Sequence, residues 1–133
     1  LSKGKDLPAI IHTPRKEKRI VTAKIIDVLR GIGYFNVVID HVNFENIDLV
    51  ADLDVYIGLT VQRGKLNPED LFKIVEEHVM SSPEKFILNT DLGRDPSDLF
   101  SLPKSIQFLR VKGVDKDVIR LISEKNASSL FRI

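Results

Sequence analysis

Three side chains that can bind a metal ion directly follow hydrophobic stretches of the chain. His12 comes after Ala-Ile-Ile at 9–11, His41 after Val-Val-Ile-Asp at 37–40, and Asp91 after Ile-Leu-Asn-Thr at 87–90. Imidazole nitrogens and carboxylate oxygens suit zinc, manganese or iron, and a catalytic site leaves one position for water. The pattern therefore predicts a divalent-metal or catalytic site.

Each of these residues has a commoner role when it is taken alone. A histidine after a strand usually packs or caps, and Asp91 is also placed to cap a helix. His78 is set aside, because it lies within a helical pattern where a surface histidine is unremarkable. The other two histidines and Asp91 all stand at ends of hydrophobic runs, so we favour a metal or catalytic role for the set.

Four hydrophobic runs predict the strands that would position these residues. The runs are continuous rather than alternating and rich in Ile and Val, which is typical of strands buried on both faces in a parallel sheet. They span residues 7–11, 36–39, 54–60 and 85–89. The carboxyl ends of parallel strands meet at one edge, where sites are built.

Helical patterns separate the strands. Asn67 is placed to cap one helix and Pro68 fits its first turn, while Gly33 ends another. Asn126 is predicted to cap a last turn. The expected helices cover 16–32, about 45–51, 68–79, 97–112 and 115–125. Alternation of strand and helix predicts an α/β domain over residues 1–133, with helices outside a parallel sheet.

The composition narrows the class of protein. The 133 residues are 43% hydrophobic and 29% charged, with a net charge of +1 and no cysteine. Thiolate metal sites and disulfides are thereby excluded, and no basic excess favours an extended nucleic-acid surface. No apolar run approaches the roughly 18 residues of a membrane span. We expect a cytoplasmic protein.

Several motifs, in their order along the chain, resemble a known family. Residues 10–15 (IIHTPR), 39–43 (IDHVN) and 89–93 (NTDLG) are similar to the last metal-binding strands of TatD-related metal-dependent hydrolases. These enzymes belong to the amidohydrolase-like barrel superfamily. Residues 56–66 resemble the seventh strand of the archaeal members, and residues 126–131 resemble the family's terminal Asn-Pro-x-x-Leu-Phe, with alanine in place of proline.

The resemblance implies a role for each candidate residue. His12 and His41 would be the ligands from the fifth and sixth strands, and Asp91 would contact the metal and accept a proton from the attacking water. The cofactor would be a divalent ion of the zinc, manganese or magnesium class. The reaction would be hydrolysis of an ester, phosphodiester or amide bond, with a small-molecule or nucleotide-type substrate and deoxyribonuclease activity among the candidates.

Further side chains are expected around this site. Lys65, Arg15 and Arg94 would meet an anionic substrate group, although an exposed lysine is the commoner reading of Lys65. Glu45 and Asp40 would fix the histidine tautomers by hydrogen bonding. We expect Asp40 to point away from the site, since neighbours on a strand face opposite sides.

Two parts of the family pattern are missing from this sequence. It has no His-x-His pair for a first strand, and no fourth-strand Glu or carboxylated Lys is identified. We therefore expect the carboxyl-terminal half of an eight-stranded TIM-type barrel, completed by an amino-terminal half or by a second copy of the chain. A non-catalytic half-barrel that serves as an assembly module is the alternative. A phosphate-binding module at Gly93 is weaker, since no glycine-rich loop surrounds it.

Overall fold

Four short strands form one parallel sheet in the computed structural model, which describes residues 7–93 and 97–133. The sheet order is β1-β2-β3-β4, and every neighbouring pair is parallel. The strands are β1 (Ala9–His12), β2 (Val37–Asp40), β3 (Tyr56–Thr60) and β4 (Phe86–Asn89). In the register of the sheet, His12 stands beside Asp40 and Thr60 beside Asn89. Each strand thus ends in a polar residue at the same edge.

Helices follow all four strands, and the predicted α/β fold is confirmed. They are α1 (Lys18–Ile32), α2 (Ile47–Val50), α3 (Pro68–Ile74), α4 (Ser101–Val111), α5 (Lys116–Arg120) and α6 (Asn126–Phe131). Two five-residue π-helical segments, Val75–Val79 and Leu121–Lys125, continue α3 and α5, and a 3₁₀ turn at Pro83–Lys85 precedes β4. None of the described helices is long and apolar enough to cross a membrane.

The helix-terminus predictions have mixed outcomes. The Asn67 side chain accepts from the Asp70 amide and caps α3, and Gly33 ends α1 in the left-handed conformation. The prediction that Asn126 is a cap is wrong, because the helix runs through this residue with α-helical dihedrals on both sides. Its buried amide instead donates to the carbonyl oxygens of Pro83 (2.8 Å) and Phe86 (2.7 Å). These bonds attach the last helix to the start of β4.

The two faces of the sheet are packed differently. The outer face carries the main core, built from sheet residues such as Ile39, Ile57 and Leu59 together with the helices. The opposite face, called the inner face below, has a smaller cluster in which Val38 and Ile87 meet residues of α6. Ile10 lies on the inner face in register with Val38 and is 52% exposed.

Candidate metal centre

His12, Asp40 and His41 converge at the carboxyl edge of β1 and β2. The Nδ1 atom of His12 lies 3.0 Å from Nε2 of His41 and 3.0 Å from Oδ2 of Asp40. The two imidazole rings are stacked with centroids 4.8 Å apart. Among the described residues, these three form the group whose ligand atoms are close enough to hold one metal ion.

The backbone at His41 explains how two consecutive residues face the same site. Asp40 follows the strand alternation and points to the inner face beside His12. His41 has a positive φ of 62°, which turns the chain out of the strand and returns its side chain to that side. For a residue with a Cβ this conformation costs about 1–2 kcal/mol. The expectation that Asp40 points away is therefore wrong, because the alternation rule ends at residue 40.

Hydrogen bonds hold the chain on either side of this turn. Lys18 Nζ donates to the His41 carbonyl oxygen at 2.7 Å, and Thr13 Oγ1 donates to the Asp40 carbonyl oxygen at 2.9 Å. The amide of Val42 then donates to the Gly58 carbonyl oxygen at 3.0 Å. The left-handed turn is thus stabilised by the residue that follows β1, by the start of α1 and by β3.

The hydrogen bonds of Thr60 determine which nitrogen of His41 carries the proton. The Thr60 hydroxyl lies 2.7 Å from Asn89 Oδ1 and 3.1 Å from Asp40 Oδ1, both of which can only accept, so its single proton points to one of them. The hydroxyl oxygen is then left to accept from Nδ1 of His41, 2.8 Å away. Nε2 is the unprotonated nitrogen and faces His12, as a metal ligand requires.

The Asp40 carboxyl is buried and remains ionised. Burial by itself would raise its pKa, but the hydrogen bond from Asn89 Nδ2 (2.9 Å), the nearby His41 and the hydrogen bond from Thr60 together hold the pKa below its ordinary value. Gly58 provides the space for this side chain, because a Cβ at Gly58 would lie 2.2 Å from Asp40 Oδ1.

Burial lowers the pKa of His41 below the ordinary value. The positive charge of Lys65 and the neighbouring His12 act in the same direction, and together they outweigh the Asp40 carboxylate. The neutral imidazole, which is the form that binds metal, is therefore favoured at neutral pH.

Asp91 lines the same cavity as His12, Asp40 and His41, but it lies outside their close group. Its Oδ2 atom is 3.2 Å from Lys65 Nζ. Only 13% of the Lys65 side chain is exposed, so Lys65 is an ion-paired residue of the site edge rather than a solvated lysine.

The remaining candidates lie on the neighbouring loops. Arg15, Lys65 and Glu45 line a second cavity of about 220 Å³, which His41 and Thr60 also contact. Glu45 Oε1 accepts from the Asn43 side-chain amide at 3.3 Å. Arg94 lies outside the described residues.

Sequence reasoning missed several residues that shape the site. Thr60 and Asn89 end β3 and β4 at the edge where His12 and Asp40 end β1 and β2, so their polar character was a usable signal. Lys18 offered no signal, because a lysine at the start of an amphipathic helix is ordinarily exposed.

The donor set fits a divalent ion of the zinc or manganese class. Two nitrogen ligands about 2.05 Å from one ion in tetrahedral geometry lie roughly 3.3 Å apart. The His12 and His41 nitrogens are 3.0 Å apart, and an Asp40 oxygen is 3.0 Å from the first of them. A shift of a few tenths of an ångström, together with the His12 tautomer whose Nδ1 is unprotonated, would let both nitrogens bind one ion, so His12, His41 and a carboxylate would hold it.

The chain is similar to known proteins in sequence and in fold. No family model matches the chain. An uncharacterised metal-dependent hydrolase of Methanocaldococcus jannaschii is 38% identical over 136 aligned positions, which cover 100% of this chain and 52% of that protein. The crystal structure of a TatD-like protein from Archaeoglobus fulgidus superimposes with a TM-score of 0.71 at 30% identity, covering 99% of this chain and 50% of that one.

The chain therefore spans about half the length of both relatives. Its four parallel strands with flanking helices correspond to half of a TatD-like barrel. The predicted relationship is confirmed: over its whole length, this chain is similar in sequence and fold to about half of a TatD-like metal-dependent hydrolase.

Proposed function

We propose that the chain is the carboxyl-terminal half of a metal-dependent hydrolase that cleaves ester, phosphodiester or amide bonds with a metal-activated water. The observation that carries this proposal is the convergence of His12, Asp40 and His41 at the sheet edge, with His41 Nε2 unprotonated and facing His12. The name of the Methanocaldococcus jannaschii relative, a metal-dependent hydrolase, supports the same chemistry.

Each residue has a proposed role. His12 and His41 would hold the ion through the nitrogens that face each other, and Asp40 orients both rings and would offer Oδ2 as a further ligand. The ion would supply a water whose pKa is lowered toward neutrality. Asp91, also expected to be a metal ligand, would be the carboxylate that accepts a proton, and Lys65, 3.2 Å away, keeps this carboxylate in position.

The substrate would carry an anionic group. Arg15 and Lys65 line the cavity beside His41, where cationic side chains bind such a group, and Arg94 follows Asp91 by three residues. A small molecule or a nucleotide-type compound fits this cavity better than an extended nucleic acid, because the net charge of the chain is only +1. A cytoplasmic location stays a prediction.

A complete site needs ligands from outside this sequence, which contains no His-x-His pair. Within the described part of the chain, β1 and β4 each pair with a strand on one side only. We propose that an amino-terminal half-barrel or a second copy of the chain pairs with these edges and supplies the missing ligands.

The test is metal-dependent hydrolysis by matched variants. The 133-residue chain would be assayed alone, and mixed with the other half of the Methanocaldococcus jannaschii relative, on bis(p-nitrophenyl) phosphate, p-nitrophenyl acetate and an anilide with Zn²⁺, Mn²⁺ or Mg²⁺. We expect turnover that Asp91→Asn abolishes without unfolding the chain and that Asp27→Asn, an exposed change on α1, leaves intact. Equal rates in wild type and Asp91→Asn, or no metal-dependent turnover in any mixture, would contradict the proposal.

A second candidate is a non-catalytic half-barrel that serves in assembly. The half-exposed Ile10 on the inner face favours it, because an uncovered apolar surface in a barrel interior calls for a partner. Sedimentation equilibrium and metal analysis separate the two functions. An oligomer that contains no metal favours the module, whereas stoichiometric metal that His12→Ala removes excludes it.

A further inference from the structure

A lysine is buried directly behind the metal centre. Lys18 is the first residue of α1, and only 5% of it is exposed. Lysines are rarely buried because their ammonium groups lose hydration, so a buried one calls for an explanation from its contacts.

The ammonium group of Lys18 bonds to the backbone of the site and to one side chain. It donates to the His41 carbonyl oxygen at 2.7 Å and to Thr13 Oγ1 at 3.1 Å. Thr13 Oγ1 in turn donates to the Asp40 carbonyl oxygen at 2.9 Å, and the Thr13 amide donates to the same oxygen at 3.0 Å. Two consecutive carbonyl groups are thus held by the residue that follows β1 and by the first residue of α1.

These carbonyl groups flank the dihedral on which the site depends. His41 adopts φ 62°, and in this conformation its side chain joins Asp40 on the inner face. A charge-assisted hydrogen bond is stronger than a neutral one, so the Lys18 contact favours the left-handed form over an extended form in which the His41 ring would face away. Without it, the other side-chain donor near the His41 carbonyl oxygen is Thr13 Oγ1 at 3.2 Å, whose single proton also serves the Asp40 carbonyl oxygen.

We infer that Lys18 is a positioning residue for the metal centre: with Thr13, it holds the backbone of Asp40 and His41 so that both side chains face His12. The inference rests on the proposed metal-dependent function, since it concerns the same site. Lys18 would thus belong to the site without being a ligand of the ion, because it acts through the backbone geometry of His41.

A direct contact with an anionic substrate is the competing role. Lys18 also lines the cavity that contains Arg15 and Lys65. The two roles differ in what they require, because positioning shows in the chain without substrate, whereas a substrate contact shows only when an anion is present.

The experiment compares Lys18→Met and Lys18→Arg with Lys24→Met, which removes an exposed lysine from the same helix. The His41 imidazole signals would be followed by ¹H–¹⁵N NMR without metal, and Co²⁺ affinity by absorbance titration. We expect Lys18→Met to shift or split the His41 signals and to weaken Co²⁺ binding on the order of 10- to 100-fold, the usual effect of losing a group that orients a ligand. Lys18→Arg should restore part of the affinity, and Lys24→Met should match the wild type.

Other outcomes are equally informative. Wild-type His41 signals and Co²⁺ affinity in Lys18→Met would overturn the inference, as would a variant that loses only its affinity for inorganic phosphate. If the wild type binds no Co²⁺, the proposed function fails, yet displaced His41 signals in Lys18→Met would still support the positioning role. Should Lys18→Met fail to fold, the same hydrogen bonds can be tested at Thr13. Thr13→Val, which removes the hydroxyl group, would then be compared with Thr13→Ser, which keeps it.

Discussion

The two histidines of the metal centre occupy very different surroundings. His41 follows the interior strand β2, and its side chain is 10% exposed; His12 ends the edge strand β1, and its side chain is 64% exposed. Thr60 fixes the ring of His41 and Lys18 fixes its backbone. The His12 ring meets Asp40 and His41 from the solvent side.

This contrast shows that half of the site is organised by the chain itself. The His41 side is built from the ends of β2, β3 and β4 and from the start of α1, so it should keep its geometry in the isolated chain. The His12 side lies on a strand edge, and its order depends on what pairs with β1. Substitution of His41 should therefore lower both the metal affinity and the free energy of unfolding, whereas substitution of His12 should lower the metal affinity alone.

The largest effect is expected for the ligands themselves. His12→Ala and His41→Ala should each weaken Zn²⁺ binding by more than about 100-fold, because each removes a nitrogen ligand. Only His41→Ala should also lower the free energy of unfolding, by roughly 1–3 kcal/mol, since it leaves the buried Thr60 contact unmade. Calorimetric titration and urea unfolding measure the two quantities, and His78→Ala is the control. Equal destabilisation by both changes would contradict the contrast between the two sides.

The next prediction concerns Gly58, whose Cα lies against the Asp40 side chain. Gly58→Ala would place a methyl group 2.2 Å from Asp40 Oδ1, so the carboxylate must move. The free energy of unfolding should fall by about 1–3 kcal/mol, and the metal affinity should fall as well. Gly31→Ala, where a Cβ meets nothing within 4 Å inside α1, should gain roughly 0.5–1 kcal/mol. Urea unfolding measures both, and a Gly58→Ala variant as stable as the wild type would show that Asp40 is not held in place.

The smallest effect concerns the pH dependence of the metal-free chain. The pKa of His41 is lower in the folded chain than its unfolded value of about 6.5, so the unfolded chain binds more protons as the pH falls. This contribution to stability is complete above the unfolded pKa and is lost as the pH falls through the folded pKa. Urea unfolding in EDTA should therefore show a shallower decline below about pH 6.5 for His41→Gln than for the wild type. If the free energy of unfolding fell equally with pH in both proteins, the burial of this imidazole would be contradicted.

The elements of the fold could be read from the sequence with good agreement, because buried parallel strands leave continuous hydrophobic runs. The run at 36–39 became β2 (Val37–Asp40), and the pattern at 16–32 became α1 (Lys18–Ile32). The π-helical segments could not be predicted, since the buried residues Leu71, Val75 and Val79 keep the four-residue spacing of an ordinary α-helix.

The site could be predicted only in part. His12 and His41 come together as expected, because parallel strand ends share an edge. The placement of His41 beside Asp40 depended on the sign of one dihedral at His41, which no pattern of side chains reveals. The burial of Lys18 depended on a carbonyl group 23 residues away, and such a contact exists only once the fold is formed.

X-ray absorption of the Zn²⁺-loaded chain measures whether His12 and His41 bind one ion together. We predict two imidazole nitrogens in the first coordination shell of the wild type, with distances near the roughly 2.0–2.1 Å usual for zinc–histidine bonds. His12→Ala and His41→Ala should each show one fewer imidazole, and His78→Ala should show both. A wild-type ion coordinated only by oxygen, or one whose shell is unchanged in His41→Ala, would show that the two histidines do not share an ion.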